Sequence, residues 1–280
     1  MPPPPTSLLR LGELTLEGVS RAGEETWFRV QPPGIGFDVG RGADRLVGVP
    51  RIFLSHGHLD HASGLPWLLS QRSLQELEAT RVACPAAAAE ALAELLAAAE
   101  RLEGRDYQVE VEPLVPGDRV EIEGGFVVEA FAVDHVVPAL GYHLIRRKRR
   151  LAVRLRGLPE RRIAELARAG EQVSEVDEEL WLTYCGDTGP GVLEAEPRLY
   201  RARVLLLECT FLGEATRERS AAYGHLHLDD FVRRGDVFRN EAVVLHHLSR
   251  RHRLADLRRE VNEKLPWLTG RVHLLGEEEE

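Results

Sequence analysis

Apolar and β-branched residues alternate with polar ones at residues 14–19 and 26–30, which predicts two short strands with Gly23 in the turn between them. Residues 34–40 read as a strand entering a glycine-rich loop, and 51–54 as a buried strand with the polar cluster 55–61 directly behind it. The spacing predicts a helix over 66–78, a strand over 81–84, and an Ala-rich helix from Pro85 to Leu102. Residues 109–115, 119–122 and 126–133 predict a meander, punctuated by Pro116-Gly117 and Gly124-Gly125. Further strands are expected at 142–145, 180–184, 203–207, 242–246 and 271–275, with helices at 228–239 and 253–264. This order suits two sheets packed face to face with helices outside, an α/β class. No repeat and no linker is visible, so residues 1–280 are expected to form one domain with frayed ends at 1–7 and 277–280.

Composition adds exclusions. Of 280 residues, 44% are apolar and 29% charged, which excludes a disordered, collagen-like or coiled-coil chain. No run approaches the ~18 apolar residues of a membrane helix, and the start shows no secretory leader. Cys84, Cys185 and Cys209 form no Cys-x-x-Cys and no even framework, so buried, reduced thiols in a cytoplasmic protein are expected. The net charge is −9, yet residues 146–168 carry ten basic and two acidic residues, a local +8. Contact with a polyanion is therefore confined to particular faces. The same segment also reads as the solvated side of an amphipathic helix over 161–168, with Ile163 and Leu166 turned inward.

The chemistry concentrates in Ser55-His56-Gly57-His58-Leu59-Asp60-His61, where three imidazoles and one carboxylate occupy six positions. Imidazole is a borderline ligand and carboxylate a hard one, a set that suits Zn²⁺. On a loop after a strand, His56 and His58 can point to one side while Asp60 and His61 point to another. That split suits two neighbouring metals better than one.

These residues resemble the His-x-His-x-Asp-His hallmark of the metallo-β-lactamase superfamily, matching it at every ligand position. The resemblance implies a four-layer αββα sandwich with a two-metal site at one sheet edge. It also implies later ligands, which His135, Asp187 and His247 supply, each just after an apolar strand. By that resemblance His56, His58 and His135 hold one ion, Asp60, His61 and His247 hold the second, and Asp187 bridges them. Two divalent ions, Zn²⁺ first with Mn²⁺ and Fe as alternatives, would generate hydroxide from a shared water near neutral pH.

The second half resembles the ribonuclease Z (transfer-RNA 3′-processing endonuclease) branch. Glu208-Cys209-Thr210-Phe211 is similar to its Glu-Ala-Thr-Phe segment, Gly224-His225 to the start of its Gly-His-Ser-Thr segment, and His247-Leu248-Ser249-Arg250-Arg251 to its His-x-Ser-x-Arg segment. The branch implies a Glu208–His225 proton donor for the leaving oxygen and a role for Asp60 in orienting or deprotonating the water. It implies substrate contacts from Thr210, Phe211, Ser249 and Arg251. Leu226-His227 stands where the branch carries Ser-Thr, so the hydroxyl contacts to the substrate phosphate are expected to be lost or replaced by His227. The Gly-Thr-Gly start of the branch is absent; Gly18-Val19-Ser20-Arg21-Ala22-Gly23 stands there. A basic segment at about 146–170 replaces the branch's Gly-Pro-rich arm. The expected substrate is a phosphodiester, with a transfer-RNA precursor as candidate, no membrane partner and a homodimer. The alternative is a small-molecule, cyclic nucleotide-like phosphodiesterase or another hydrolase of this fold.

Overall fold

The computed structural model describes residues 5–213 and 216–276. Seven strands form the first sheet in chain order: β1 Ser7–Leu11, β2 Leu14–Arg21, β3 Glu25–Gln31, β4 Ile35–Phe37, β5 Arg51–Phe53, β6 Thr80–Pro85 and β7 Val109–Leu114. The second sheet has β8 Arg119–Ile122, β9 Phe126–Ala132, β10 Leu140–Leu151, β11 Ser174–Tyr184, β12 Val204–Glu208, β13 Ala242–His246 and β14 Val272–Leu274, again with chain neighbours paired. The helices are α1 Leu59–Ala62, α2 Leu65–Leu74, α3 Ala89–Glu103, α4 Glu160–Arg168, α5 Val192–Ala195, α6 Arg217–Tyr223, α7 Leu228–Arg234 and α8 Leu254–Lys264.

One face of each sheet meets the other through Leu16, Phe28 and Phe37 on one side and Tyr142, Tyr184 and Val244 on the other. Behind the first sheet, Leu65, Leu68 and Leu92 of α2 and α3 cover Ile52 and Val82. Behind the second, Leu193, Phe231 and Leu257 of α5, α7 and α8 cover Leu205 and Val243. The result is the expected αββα sandwich. All three cysteines are buried and free. Among the described residues, no helix is long and apolar enough to cross a membrane.

Strand direction creates the functional edge. β4 to β7 pair in parallel, as do β11 to β14, while β9 and β11 each run antiparallel to β10. The C-terminal ends of β5, β9, β11, β12 and β13 therefore open at one rim.

Several expected boundaries move. Ser7 is no frayed end: it opens β1 and is 8% exposed. The rest of that expectation, residues 1–4 and 277–280, lies outside the described residues. Pro85 closes β6 and a 3₁₀ turn separates it from α3, because a proline after a strand serves the extended backbone equally well. The helix expected over 228–239 stops at Arg234, where Gly235 takes φ 64°. Strand β10 runs six residues past Ile145, and β11 begins six residues before Leu180. The basic run is thus a strand. Its partner carries the opposite sign: Arg147 bonds Glu178 at 2.9 Å, Lys148 bonds Glu179 at 2.8 Å, and Arg150 meets Asp177 at 3.1 Å. Counting charge over 146–168 omits that acidic strand, so the local excess is largely neutralised. Beyond it, α4 forms as the amphipathic reading expects, with Ile163 and Leu166 half-buried.

Candidate metal centre

All seven expected ligands meet at the rim. Ligand atoms of His56, His58, His135 and Asp187 lie within 4.8 Å of one another, and so do those of Asp60, His61 and His247. Asp187 joins the two groups: its Oδ2 is 3.7 Å from His56 Nε2, 3.4 Å from His61 Nε2 and 3.3 Å from His247 Nε2. His58 stands at the N-cap position of α1, whose first turn carries Asp60 and His61. His61 stays beside His56, with ring centroids 4.2 Å apart, and Asp60 Oδ2 lies 3.4 Å from His247 Nε2.

The outer ring nitrogens are already committed. His56 Nδ1 lies 3.0 Å from Ser55 Oγ, His61 Nδ1 2.8 Å from Asp38 Oδ2, His135 Nδ1 3.1 Å from the Gly224 carbonyl, and His247 Nδ1 2.8 Å from Thr210 Oγ1. Each partner oxygen can accept, so a neutral ring with its proton on Nδ1 would turn a bare Nε2 lone pair inward. His56 Nε2, His61 Nε2 and Asp187 Oδ1 are buried with no hydrogen-bond partner among the described residues. Buried polar atoms left without partners are costly, and a divalent cation between them would satisfy all three. The donor set therefore fits metal.

Electrostatics point the same way. Burial, then the neighbouring His61, holds the His56 imidazole well below its ordinary pKa. Burial also opposes charge on His61, but the Asp187 and Asp38 carboxylates outweigh it and raise that pKa well above the usual value. Burial would raise Asp187; His247 and His61 instead pull it well below the usual carboxylate range. An anion at Asp187 thus demands positive charge beside it. A cation supplies that charge in exchange for a proton.

Next to the ligands stands the expected acid pair. Glu208, fully buried at the end of β12, accepts from His225 Nδ1 at 2.7 Å and from the Thr188 N–H at 2.8 Å through Oε1. Its Oε2 accepts from Thr210 Oγ1 at 2.7 Å. Burial disfavours the imidazolium at His225, yet Glu208 raises its pKa to about 9. The ring stacks on His247 with centroids 5.2 Å apart. Two local features bring His225 here. Gly224, with φ 66°, ends α6 in a left-handed turn. A bridge between Phe211 and His227 then zips this segment against the one following β12.

A cavity of about 420 Å³ opens over these groups, lined by Asp60, His225, Phe211, Ser249 and Arg251 among others. Thr210 also lines it, but its hydroxyl is engaged by Glu208 and His247 and not turned to a substrate. His227 does not reach the cavity. It is buried, its Nδ1 accepts from the Asp229 N–H at 3.1 Å, and its Nε2 donates to the Gly213 carbonyl at 3.0 Å. Nδ1 serves the cap of α7 and Nε2 the segment after β12, so His227 cannot replace a hydroxyl toward substrate.

Sequence reasoning missed the residues that hold the ligands. Asp38, fully buried after β4, takes the Ser55 N–H at 2.6 Å, the Ser55 hydroxyl at 2.7 Å and the Tyr184 hydroxyl at 2.5 Å besides His61. A carboxylate inside the apolar run Phe37-Asp38-Val39 was a signal for it. Ser20 and Gly23 carried none: Ser20 Oγ accepts the His247 N–H at 2.9 Å, and the Gly23 N–H donates to Asp60 Oδ2 at 2.9 Å. Gly186 permits the approach of Asp187, since its φ is 61° and an added Cβ would lie 2.7 Å from that of Ser55.

Comparison with known proteins agrees with this geometry. A family described as "Beta-lactamase superfamily domain" matches residues 28–248. The chain is 30% identical over 257 residues to the chloroplastic tRNase Z of Arabidopsis thaliana, covering 90% of this chain and 72% of that protein. A second Arabidopsis thaliana tRNase Z is 29% identical over 263 residues, 93% of this chain and 94% of the relative. In fold the chain is similar to a metallo-beta-lactamase fold protein from Bacillus subtilis, with a TM-score of 0.62 and 15% identity over 91% of this chain and 92% of that one.

Proposed function

Because the chain belongs to the beta-lactamase superfamily, in its ribonuclease Z branch, we propose that its substrate is a precursor transfer RNA, cut on the 3′ side of the discriminator base. The chain is a metal-dependent hydrolase. The imidazole-rich donors suit two Zn²⁺ ions: His56, His58 and His135 would hold one, Asp60, His61 and His247 the other, and Asp187 would serve both. When bound, they supply charge for the phosphate oxygens and lower the pKa of water.

The chain's own residues do the rest. Asp60, fixed by the Gly23 N–H at 2.9 Å, faces the cavity as an anion able to orient a water. His225, fixed through Nδ1 by Glu208, has Nε2 as its remaining donor and delivers a proton to the departing oxygen. Ser249 and Arg251 stand at the cavity as contacts for the phosphate backbone.

The observation that carries this reading is the Glu208–His225 pair at 2.7 Å, stacked against His247. A phosphate ester needs its alkoxide leaving group protonated, and this pair is an acid placed beside the ligands. The test is cleavage of a transfer-RNA precursor with a 3′ trailer by the zinc-loaded protein. A single cut after the discriminator is expected. With His225→Ala, kcat is expected to fall about 10²- to 10⁴-fold while bound zinc is unchanged. Full activity in that variant would remove His225 from the mechanism. Turnover of cyclic nucleotides without RNA cleavage would favour the small-molecule reading.

A further inference from the structure

The helix α6, Arg217–Tyr223, was absent from the sequence reading and lies directly before the proton-donor candidate. Its last residue, Tyr223, lines the cavity and is 55% exposed, so its ring is open to a ligand in that cavity. Gly224 turns the backbone so that Tyr223 and His225 both border the same opening, while the Gly224 carbonyl holds His135. Tyr223 is therefore carried on the same rigid turn that positions a candidate ligand and the proton donor.

The charge around it is selective. The Arg219 guanidinium lies over the Tyr223 ring, 5.8 Å from its centroid, and Arg219 also lines the cavity. Nearby cations are spent on carboxylates: Arg250 bonds Glu24 at 2.7 Å, and Arg217 pairs with Asp229. Arg219 and Arg251 have no carboxylate partner among the described residues, and both border the cavity. An exposed aromatic ring with a guanidinium beside it, and a second guanidinium lining the same cavity, matches single-stranded nucleic acid, in which bases stack and phosphates alternate with them.

We propose that Tyr223 and Arg219 form a nucleotide subsite: the Tyr223 ring stacks a base of the substrate and Arg219 takes an adjacent phosphate. Because Tyr223 and His225 line the same cavity, that base belongs to a nucleotide next to the cleaved phosphate. The proposal rests on the RNA reading above and adds residues that the family segments do not contain.

The test compares the zinc-loaded wild type with Tyr223→Ala, Tyr223→Phe and Arg219→Ala. One substrate is the 3′-extended transfer-RNA precursor, and the other is ethyl p-nitrophenyl phosphate, a diester without a base. In Tyr223→Ala, KM for the RNA is expected to rise about ten-fold, within the range that base stacking carries. The loss on the small diester is expected to be at least five-fold smaller, and Tyr223→Phe to return KM to within two-fold of wild type. Arg219→Ala is expected to lower the salt slope of RNA binding by about one phosphate's worth. An RNA KM within two-fold of wild type in Tyr223→Ala, or equal losses on both substrates, would overturn the subsite while leaving the RNA reading intact. If the wild type hydrolyses the small diester but never cuts the RNA, the RNA reading fails and the subsite falls with it.

Discussion

His247 has φ 55°, a left-handed conformation that costs a non-glycine residue of order 1–3 kcal/mol. Two hydroxyls hold it there. Ser20 accepts its N–H at 2.9 Å, and Thr210 lies 3.1 Å from its carbonyl and 2.8 Å from its Nδ1. Without the Ser20 clamp the backbone relaxes and Nε2 leaves the neighbourhood of Asp60 and Asp187. Ser20→Ala is therefore expected to weaken zinc binding about 10- to 100-fold, the usual size for such supporting contacts. Competition against a chromogenic chelator measures this independently of turnover. Unchanged affinity would show that the clamp is idle. The same residues show what a sequence can reveal. Ligands were legible because imidazoles crowd one loop and recur after apolar strands. Ser20 and Gly23 were not, because a serine in a strand and a glycine in a turn look the same whether or not a distant histidine or aspartate needs them. His227 was legible as a histidine in the right segment, but its burial, its cap bond to Asp229 and its bond to Gly213 exist only in the fold.

At the scale of elements, the ribbon formed by the ends of β10 and β11 decides how the basic segment is read. Arg147 faces Glu178 across the ladder, and Lys148, opposite Asp177, reaches Glu179 diagonally. Exposed pairs of this kind contribute ~0–1 kcal/mol to stability, and they leave little charge for a polyanion. Replacing Arg147 and Lys148 together by Gln is thus expected to leave the salt slope of RNA binding almost unchanged. A fall of about two phosphate contacts, at roughly 0.7–0.9 each, would show that the ribbon grips RNA despite its pairing. Periodicity made the buried strands readable, since they alternate or run apolar. It could not reveal this ribbon, whose residues are charged on both strands and whose pairing depends on partners about thirty positions apart. Helix α6 escaped for a related reason: with seven residues and one buried side chain, Ser220, it has no apolar stripe to display.

For the whole molecule, the two-sheet order was legible because buried strands and amphipathic helices follow one another without a linker. The convergence of five strand ends at one rim was not, since it depends on the direction of each strand in the sandwich. The core lies between and behind the sheets, whereas the candidate metal centre sits at their edge. Metal removal should therefore cost stability without unfolding the chain. At a free zinc concentration about 100-fold above Kd, binding adds ~2.7 kcal/mol per site. A chelated sample is expected to keep its far-ultraviolet circular dichroism at 25 °C and to melt several degrees lower. Loss of secondary structure on chelation would instead make the metals part of the fold.

The central claim is that two groups of imidazoles meet on one shared carboxylate to hold two ions. Crystals grown with zinc, measured at the zinc absorption edge, test it directly. Two anomalous peaks per chain are expected, one bonded to His56, His58 and His135, the other to Asp60, His61 and His247, with Asp187 bonded to both. A single peak, or peaks that leave Asp187 or His247 unbonded, would contradict the account.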